Sequence, residues 1–234
     1  MVEGGYLCEA PDPRSSSSYD GTVTRRLPAD QRRAQLLRAA LEIAEREGLG
    51  AVTVRGVAER AGVSLGVVHY CYKDKEELLR ELINSVNVDV HRAAQAFVSV
   101  DFGSGAGGPE GLRARLYEAI DLIWAVISAS PDRQLLTYEI VSYSLRTHGV
   151  PEIGLAGDQQ ASNEDIVRTV LERTAESAGM RFAMGIDDMV RVVMSLIDGV
   201  GLRWQIYRDD DEANRLLYRA VDLVVADARV VDHA

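Results

Sequence analysis

The stretch TVRGVAERAGVSLGVVHYCYKDKEEL, from Thr53 to Leu78, decides the fold of this chain. It contains two short helical patterns joined at Gly62, a residue that allows the backbone to turn sharply. Ala58 and Ala61 are small, so the two helices can cross closely. This arrangement is typical of a helix-turn-helix unit, in which the second helix enters the major groove of DNA.

The ends of these helices carry capping signals. Thr53 and Ser64 stand at the N-cap positions of the two short helices, and Asp74 with Glu77 forms a capping box that opens the next helix. The residues predicted to face inward are Val57, Val63, Val68 and Tyr72, which leaves Leu65, Gly66, Val67, His69, Tyr70 and Cys71 for the outer face. Because so short a helix is unstable alone, we expect its outer face to dock on a partner.

That partner is predicted to be double-stranded DNA. Thr53, Tyr70 and Lys75 are candidates for phosphate contacts, and Arg55 could reach either a phosphate or a base. Leu65 and Val67 suit a thymine methyl group, while His69 and Tyr70 can meet a base edge. The predicted DNA-binding site comprises Thr53, Arg55, Ser64, Leu65, Gly66, Val67, His69, Tyr70, Lys73 and Lys75.

Residues 30–80 resemble the N-terminal domain of tetracycline-repressor (TetR) family regulators. The family pattern A-G-V-S-x-G, followed by a lysine and a leucine, is matched at Ala61, Gly62, Val63, Ser64, Gly66, Lys75 and Leu78, with Tyr72 replacing a phenylalanine. His69 stands where the family commonly has a phosphate-binding tyrosine, so Tyr70 could take over that contact. The resemblance implies a DNA-binding domain followed by a bundle that binds an effector and dimerises.

The charge distribution agrees with this interpretation. The chain has 234 residues and a net charge of −10. The segment from Arg25 to Arg80 carries 11 basic and 8 acidic side chains, whereas the remainder from Glu81 carries 14 and 24. We therefore expect the N-terminal unit to approach DNA and the acidic remainder to stay away from it.

The sequence predicts an all-α chain. We expect a disordered tail at residues 1–28, a three-helix helix-turn-helix DNA-binding domain at 29–80, and a ligand-binding and dimerisation bundle at 81–234. A long fourth helix, with an apolar stripe reaching Val90, would join the two. Five further helices are predicted at about 110–129, 132–147, 160–178, 187–207 and 210–229. No convincing alternating strand pattern is present.

The last two helices are predicted to form a homodimer. Apolar stripes run through Met189, Val192, Val193, Leu196, Ile197 and Val200 and through Leu217, Ala220, Val221, Val224 and Val225. Two such helices from each subunit would make a four-helix bundle, although both stripes could instead face their own subunit's core. A two-fold dimer would bind a near-palindromic operator.

A ligand pocket needs apolar walls and a few polar groups. The candidates for an unknown small-molecule effector are Tyr117, Trp124, Tyr138, Glu139, Tyr143, Asp198, Arg203 and Trp204. No catalytic, metal-binding or phosphate-binding motif is recognised, so we predict neither an enzyme nor a cofactor. No apolar run is long enough for a membrane span, and two cysteines without a signal peptide favour the cytoplasm.

The sequence therefore predicts a DNA-binding transcriptional regulator, in particular a repressor released by a small molecule. Two alternatives stay open. The first is a DNA-binding regulator without a small-molecule effector, for which a fully packed bundle interior would argue. The second is a helical ligand-binding protein or enzyme with an inert helix-turn-helix unit, for which an absence of salt-dependent DNA binding would argue.

Overall fold

The computed structural model describes residues 28–102, 107–148 and 154–231. The tail predicted for residues 1–28 therefore lies outside the described residues, apart from Pro28. The helices are α1 Ala29–Glu47, a short 3-10 helix Leu49–Ala51, α2 Val54–Ala61, α3 Leu65–Cys71, α4 Lys75–Val86, α5 Val88–Val98, α6 Gly108–Ser128, α7 Pro131–His148, α8 Gly154–Ala178, α9 Ile186–Tyr207 and α10 Asp210–Asp227. The predicted all-α class is confirmed.

Two details of the predicted secondary structure are wrong. Two three-residue strands, β1 Met180–Phe182 and β2 Ala228–Val230, pair antiparallel beside α8 and α10. They are too short to produce a visible alternation in the sequence, and the last helix, predicted at about 210–229, overlaps β2 by two residues, Ala228 and Arg229. The predicted fourth helix is also interrupted at Asn87, whose side chain donates to Asn163 Oδ1 in α8 at 2.6 Å. Asparagine favours such side-chain bonds over helix continuation.

The first hydrophobic core lies between α1, α2, α3 and α4. Val57, Val68 and Tyr72 are buried there as predicted, and Val63 is half-buried. Cys71 was assigned to the outer face of α3, and this was wrong because it is buried. Since Cys71 follows Val68 by three positions, the two side chains lie on the same face of the helix.

The remaining helices pack around α8 and α6. One core joins α6, α8, α9 and α10 with the two strands, and a smaller one joins α5, α6 and α8. Four of the five residues of the predicted α10 stripe are buried within their own subunit, whereas in the α9 stripe only Met189 and Val200 are buried and Val192 is 41 % exposed. No helix in the described ranges is long and apolar enough to cross a lipid bilayer.

Helix α7 connects the two parts of the molecule. Its Leu136 and Ile140 are buried in the core formed by α1–α4, although α7 lies far along the chain from these helices. On another side of α7, Gly201 of α9 packs against Tyr138. The two are so close that a Cβ at position 201 would lie 2.7 Å from the Tyr138 hydroxyl. Helix α7 therefore contacts both the N-terminal helices and the C-terminal bundle.

The position of α7 predicts the effect of two neighbouring truncations. Ile140→Ala should lower the free energy of unfolding by about 2–5 kcal/mol, because Ile140 is 1 % exposed in the N-terminal core. Val141→Ala is the matched control, since Val141 is 40 % exposed, and it should change stability by no more than about 0.5 kcal/mol. Urea unfolding of both variants measures this difference; equal effects would contradict the assigned orientation of α7.

Candidate nucleic-acid interface and interior cavity

Helix α2 and the turn that follows it are fixed by hydrogen bonds between side chains and the backbone. The hydroxyl of Thr53 accepts a hydrogen bond from the backbone N–H of Gly56 at 3.0 Å, which confirms Thr53 as the N-cap of α2. Gly62 ends α2 in the left-handed conformation, at φ 65°. Gln35 of α1 donates to the backbone O of Ala61 at 2.8 Å, so the turn is held from outside as well.

Helix α3 presents most of its surface to solvent. Tyr70 is 83 % exposed, and Leu65, Gly66 and His69 are also exposed. Val67 is half-buried, and Ser64 stands at the N-cap without a side-chain capping bond. An exposed tyrosine and leucine on one short, well-anchored helix form a surface suited to a groove.

The guanidinium of Arg33 in α1 fixes the other end of α3. It donates to the backbone O of Cys71 at 2.8 Å, to Glu77 at 3.1 Å and to Glu81 at 2.8 Å. It also lies 4.6 Å from the centroid of the Tyr72 ring. The hydrogen bonds that Arg33 donates to Glu81 and Glu77 raise the pKa of Arg33 above its ordinary value. A single charged group thus links α1, the end of α3 and the start of α4.

The capping box predicted at the start of α4 is present, with one change. Asp74 Oδ1 accepts from the backbone N–H of Glu77 at 2.8 Å, but the Glu77 carboxylate accepts from Lys73 N–H at 2.8 Å rather than from Asp74. The Lys73 N–H and then Arg33 lower the pKa of the Glu77 carboxyl. These bonds hold the turn that carries Lys73.

The basic residues predicted to contact DNA differ in solvent exposure and in their partners. Arg55 is almost fully exposed and forms only a surface pair with Glu59 at 3.4 Å, an interaction of little energy that DNA can replace. Lys73 is exposed at the turn after α3. Lys75 is half-buried, with its Nζ 5.8 Å from the ring centroid of Tyr143 in α7. The structure thus places the ten predicted residues at the start of α2, along α3 and in the following turn.

An interior cavity of about 150 Å³ lies within the C-terminal bundle. Its wall is mainly aliphatic, with residues from α5, α6, α8, α9 and α10, and five polar side chains also line it: Asn87, Gln134, Thr137, Asn163 and Asp198. A second cleft, of about 380 Å³, lies beside α4, α5 and α8 and is more open and more polar. Gln159 lines this cleft, and its buried Oε1 has no hydrogen-bond partner among the described residues. We regard the aliphatic cavity as the better ligand site because its lining is mainly apolar with a few polar groups.

Of the eight predicted ligand residues, only Asp198 lines this cavity. Trp124 and Trp204 are buried against each other with ring centroids 5.3 Å apart. The hydroxyl of Tyr117 donates to Asp222 at 3.0 Å, and Arg203 forms a two-bond ion pair with Glu212 at 2.9 Å. The structure therefore does not bring these side chains together as cavity walls: Tyr117 and Arg203 are paired with carboxylates, and the two tryptophan rings pack on each other.

The other three predicted ligand residues lie on α7. Glu139 accepts a hydrogen bond from the backbone N–H of Leu49 at 2.8 Å, and Tyr143 packs against the N-terminal core. Tyr138 donates to the backbone O of Asp198 at 3.3 Å. Sequence reasoning selected aromatic and charged residues and missed the aliphatic wall, since a leucine or valine of a wall has the same spacing as one of a core.

Charged contacts join α7 to the N-terminal helices beside the cavity. Arg133 donates to Glu45 of α1 at 3.2 Å and to Asp89 of α5 at 2.8 Å. Gln134, the next residue, lines the cavity. Within the described part of the chain, no group of three or more histidine, cysteine and carboxylate side chains is placed to hold a metal ion.

These features define the class of the protein: a helix-turn-helix DNA-binding transcriptional regulator. Residues 36–82 match the family model described as bacterial regulatory proteins, tetR family. The helix-turn-helix domain of the chain therefore matches the tetR family of bacterial regulatory proteins.

Three similar proteins agree with this assignment. The nicotine-responsive transcriptional repressor HdnoR of Paenarthrobacter nicotinovorans is 24 % identical over 199 residues, which cover 84 % of this chain and 95 % of HdnoR. The regulator BetI of Paraburkholderia phytofirmans is 39 % identical over 62 residues, or 26 % of this chain and 32 % of BetI. The structure of Thermus thermophilus FadR, a TetR-family repressor in complex with lauroyl-CoA, covers 86 % of this chain and 97 % of its own, with 19 % identity and a TM-score of 0.59.

The exposed face of α3 predicts which side chains affect DNA binding. Tyr70→Ala should weaken binding to a specific operator by about 1–3 kcal/mol, if the side chain meets a base. Lys73→Ala should weaken binding to all DNA and reduce the salt dependence by about one phosphate contact.

Arg181→Ala is a matched control for the lost charge, because Arg181 is exposed on β1 at the opposite part of the fold. Fluorescence anisotropy at several salt concentrations measures these affinities, and circular dichroism checks the fold. Wild-type affinity in both Tyr70→Ala and Lys73→Ala would contradict the assigned contacts.

Proposed function

We propose that this regulator is a cytoplasmic homodimeric repressor that a small molecule releases from a near-palindromic operator. The observation that carries the DNA-binding part is α3, whose ends are fixed by Gln35 and Arg33 while Tyr70 is 83 % exposed. The similarity to HdnoR, a ligand-responsive repressor, along most of the chain supports repression.

The proposed dimer surface is the exposed apolar face of α9 and α10. On α9 it includes Leu202 and Ile206, of which Ile206 is 66 % exposed, and on α10 it includes Leu216 and Leu223. The predicted stripe of α10 is mostly buried in the subunit's own core, whereas Val192 of the predicted α9 stripe is 41 % exposed. A flat apolar face on two adjacent helices suits a symmetric four-helix interface.

The effector is proposed to bind in the aliphatic cavity and to act through α7. Gln134 and Thr137 of α7 line the cavity, whereas Leu136 and Ile140 of the same helix are buried in the core below the recognition helix. A ligand that displaces α7 would therefore disturb the packing of both regions. A hundredfold loss of operator affinity requires the ligand to favour one state by about 2.7 kcal/mol.

The two alternatives are weakened by separate observations. A cavity inside the bundle favours an effector-responsive regulator over one that responds only to its own abundance. The exposure of α3, together with the exposed cationic side chains of Arg55 and Lys73 beside it, favours DNA binding over an inert helix-turn-helix unit.

A promoter-binding experiment tests the proposed function. The full chain should bind the DNA flanking its own gene at a near-palindromic site, and a reporter driven by that DNA should be lowered when the chain is expressed. Affinity should fall steeply as salt rises, because phosphate contacts release counterions. Salt-independent or undetectable DNA binding would overturn the proposal, and raised reporter output would overturn repression.

The dimer surface predicts the effect of a charge on α9. Leu202→Glu should convert the protein to a monomer and reduce operator affinity by at least about tenfold, since one half-site is then bound without its partner. Asp188→Lys, a charge change on the exposed start of the same helix, is the control. Sedimentation equilibrium gives the mass; a Leu202→Glu protein that stays dimeric would contradict this surface.

A further inference from the structure

The chemistry of the cavity wall restricts the ligands that the cavity can hold. Its aliphatic part is formed by side chains such as Ile120, Ile166 and Val221, which offer no hydrogen bond. Among the described residues that line it, none is lysine, arginine or histidine, and Asp198 is the one charged side chain. A phosphate or carboxylate group would find no cation there.

The polar side chains of the wall lie near one another. The side chains of Asn87 and Asn163 are joined by a hydrogen bond of 2.6 Å, and Asn87, Gln134 and Thr137 also line one small adjoining cavity. Gln134 donates to the Tyr138 hydroxyl at 3.3 Å, and that hydroxyl donates to the backbone O of Asp198 at 3.3 Å. The cavity therefore has a polar end at α7 and an aliphatic end at α6 and α10.

The carboxylate of Asp198 has no hydrogen bond or ion pair in the described part of the chain, although it faces this cavity. Asp198 is exposed to solvent, although partial burial raises the pKa of its carboxyl. A carboxylate that is partly desolvated and unpaired is unfavourable, and a cation placed beside it would remove that cost.

From this arrangement we infer that the cavity binds a small, largely apolar organic cation, with an ammonium group at Asp198 and a hydrocarbon ring or chain among the aliphatic residues. The cavity volume of about 150 Å³ limits the hydrocarbon part, since a cavity of about that size accommodates benzene. The inference names the chemical class of the effector and rests on the proposed effector role of the cavity.

Isothermal titration calorimetry of the full chain without DNA tests the inference with three ligands of equal size. The probes are benzylamine, which is cationic at pH 7, neutral benzyl alcohol and anionic benzoate. We expect the amine to bind most tightly and benzoate most weakly. Asp198→Asn should weaken benzylamine binding by at least about tenfold and leave benzyl alcohol nearly unchanged, as a charge-assisted bond is lost.

Two further variants locate the site. Asp188→Asn removes an exposed carboxylate from the same helix, α9, and should leave benzylamine binding unchanged. Ala220→Leu adds bulk to the cavity wall and should weaken both the amine and the alcohol. Benzoate binding as tight as the amine, an unaltered preference in Asp198→Asn, or unaltered binding in Ala220→Leu would each overturn the inference.

A second readout separates this inference from the proposed function. Operator release is measured by adding each probe to the preformed protein–DNA complex. Amine binding that depends on Asp198 but does not release DNA would preserve the ligand class and contradict the effector role. Release by neutral or anionic compounds only would preserve an effector-responsive repressor and overturn the ligand class.

Discussion

The whole account depends on how a seven-residue helix is held at the surface. Helix α3 is too short to be stable alone, and Val68 and Cys71 are its only two buried residues. Arg33 supplies the missing constraint by binding the backbone O of Cys71, at the end of α3, and the carboxylates of Glu77 and Glu81 in α4 at once. Because the helix is anchored from one side, its opposite side can remain exposed without losing its shape.

The second constraint is that α7 belongs to two packing units. Its aliphatic side completes the core beneath the recognition helix, and its polar side contributes to the cavity wall. Arg133 ties the same helix to α1 and α5 through two ion pairs. A close-packed helix with two sets of neighbours cannot move for one without disturbing the other, which is the physical basis for linking a ligand to DNA affinity.

Local sequence signals predicted the N-terminal unit well. The caps at Thr53 and Asp74, the left-handed turn at Gly62 and the burial of Val57 and Val68 all follow from interactions between residues close in the chain. The continuous fourth helix was predicted wrongly because the bond from Asn87 to α8 spans many residues. Contacts between residues far apart in the chain produce no periodic pattern in the sequence.

The cavity and the dimer face were harder to predict for a related reason. The wall residues are ordinary leucines, isoleucines and valines, so their spacing cannot distinguish a filled core from an empty one. Likewise, α9 is apolar on more than one side, and its packing against α8 and α10 shows which side remains outside. Asp198 was identified because a charge within an apolar helix is visible in the sequence itself.

Hydrogen–deuterium exchange of the full chain, with and without its operator DNA, tests the central claim most directly. Without DNA, the amides of the last turn of α3 should exchange as slowly as those of α4, because Arg33 and the buried residues hold that turn. With DNA, protection should increase across α3 and the start of α2. Rapid exchange in free α3, or protection by DNA confined to other segments, would contradict the account.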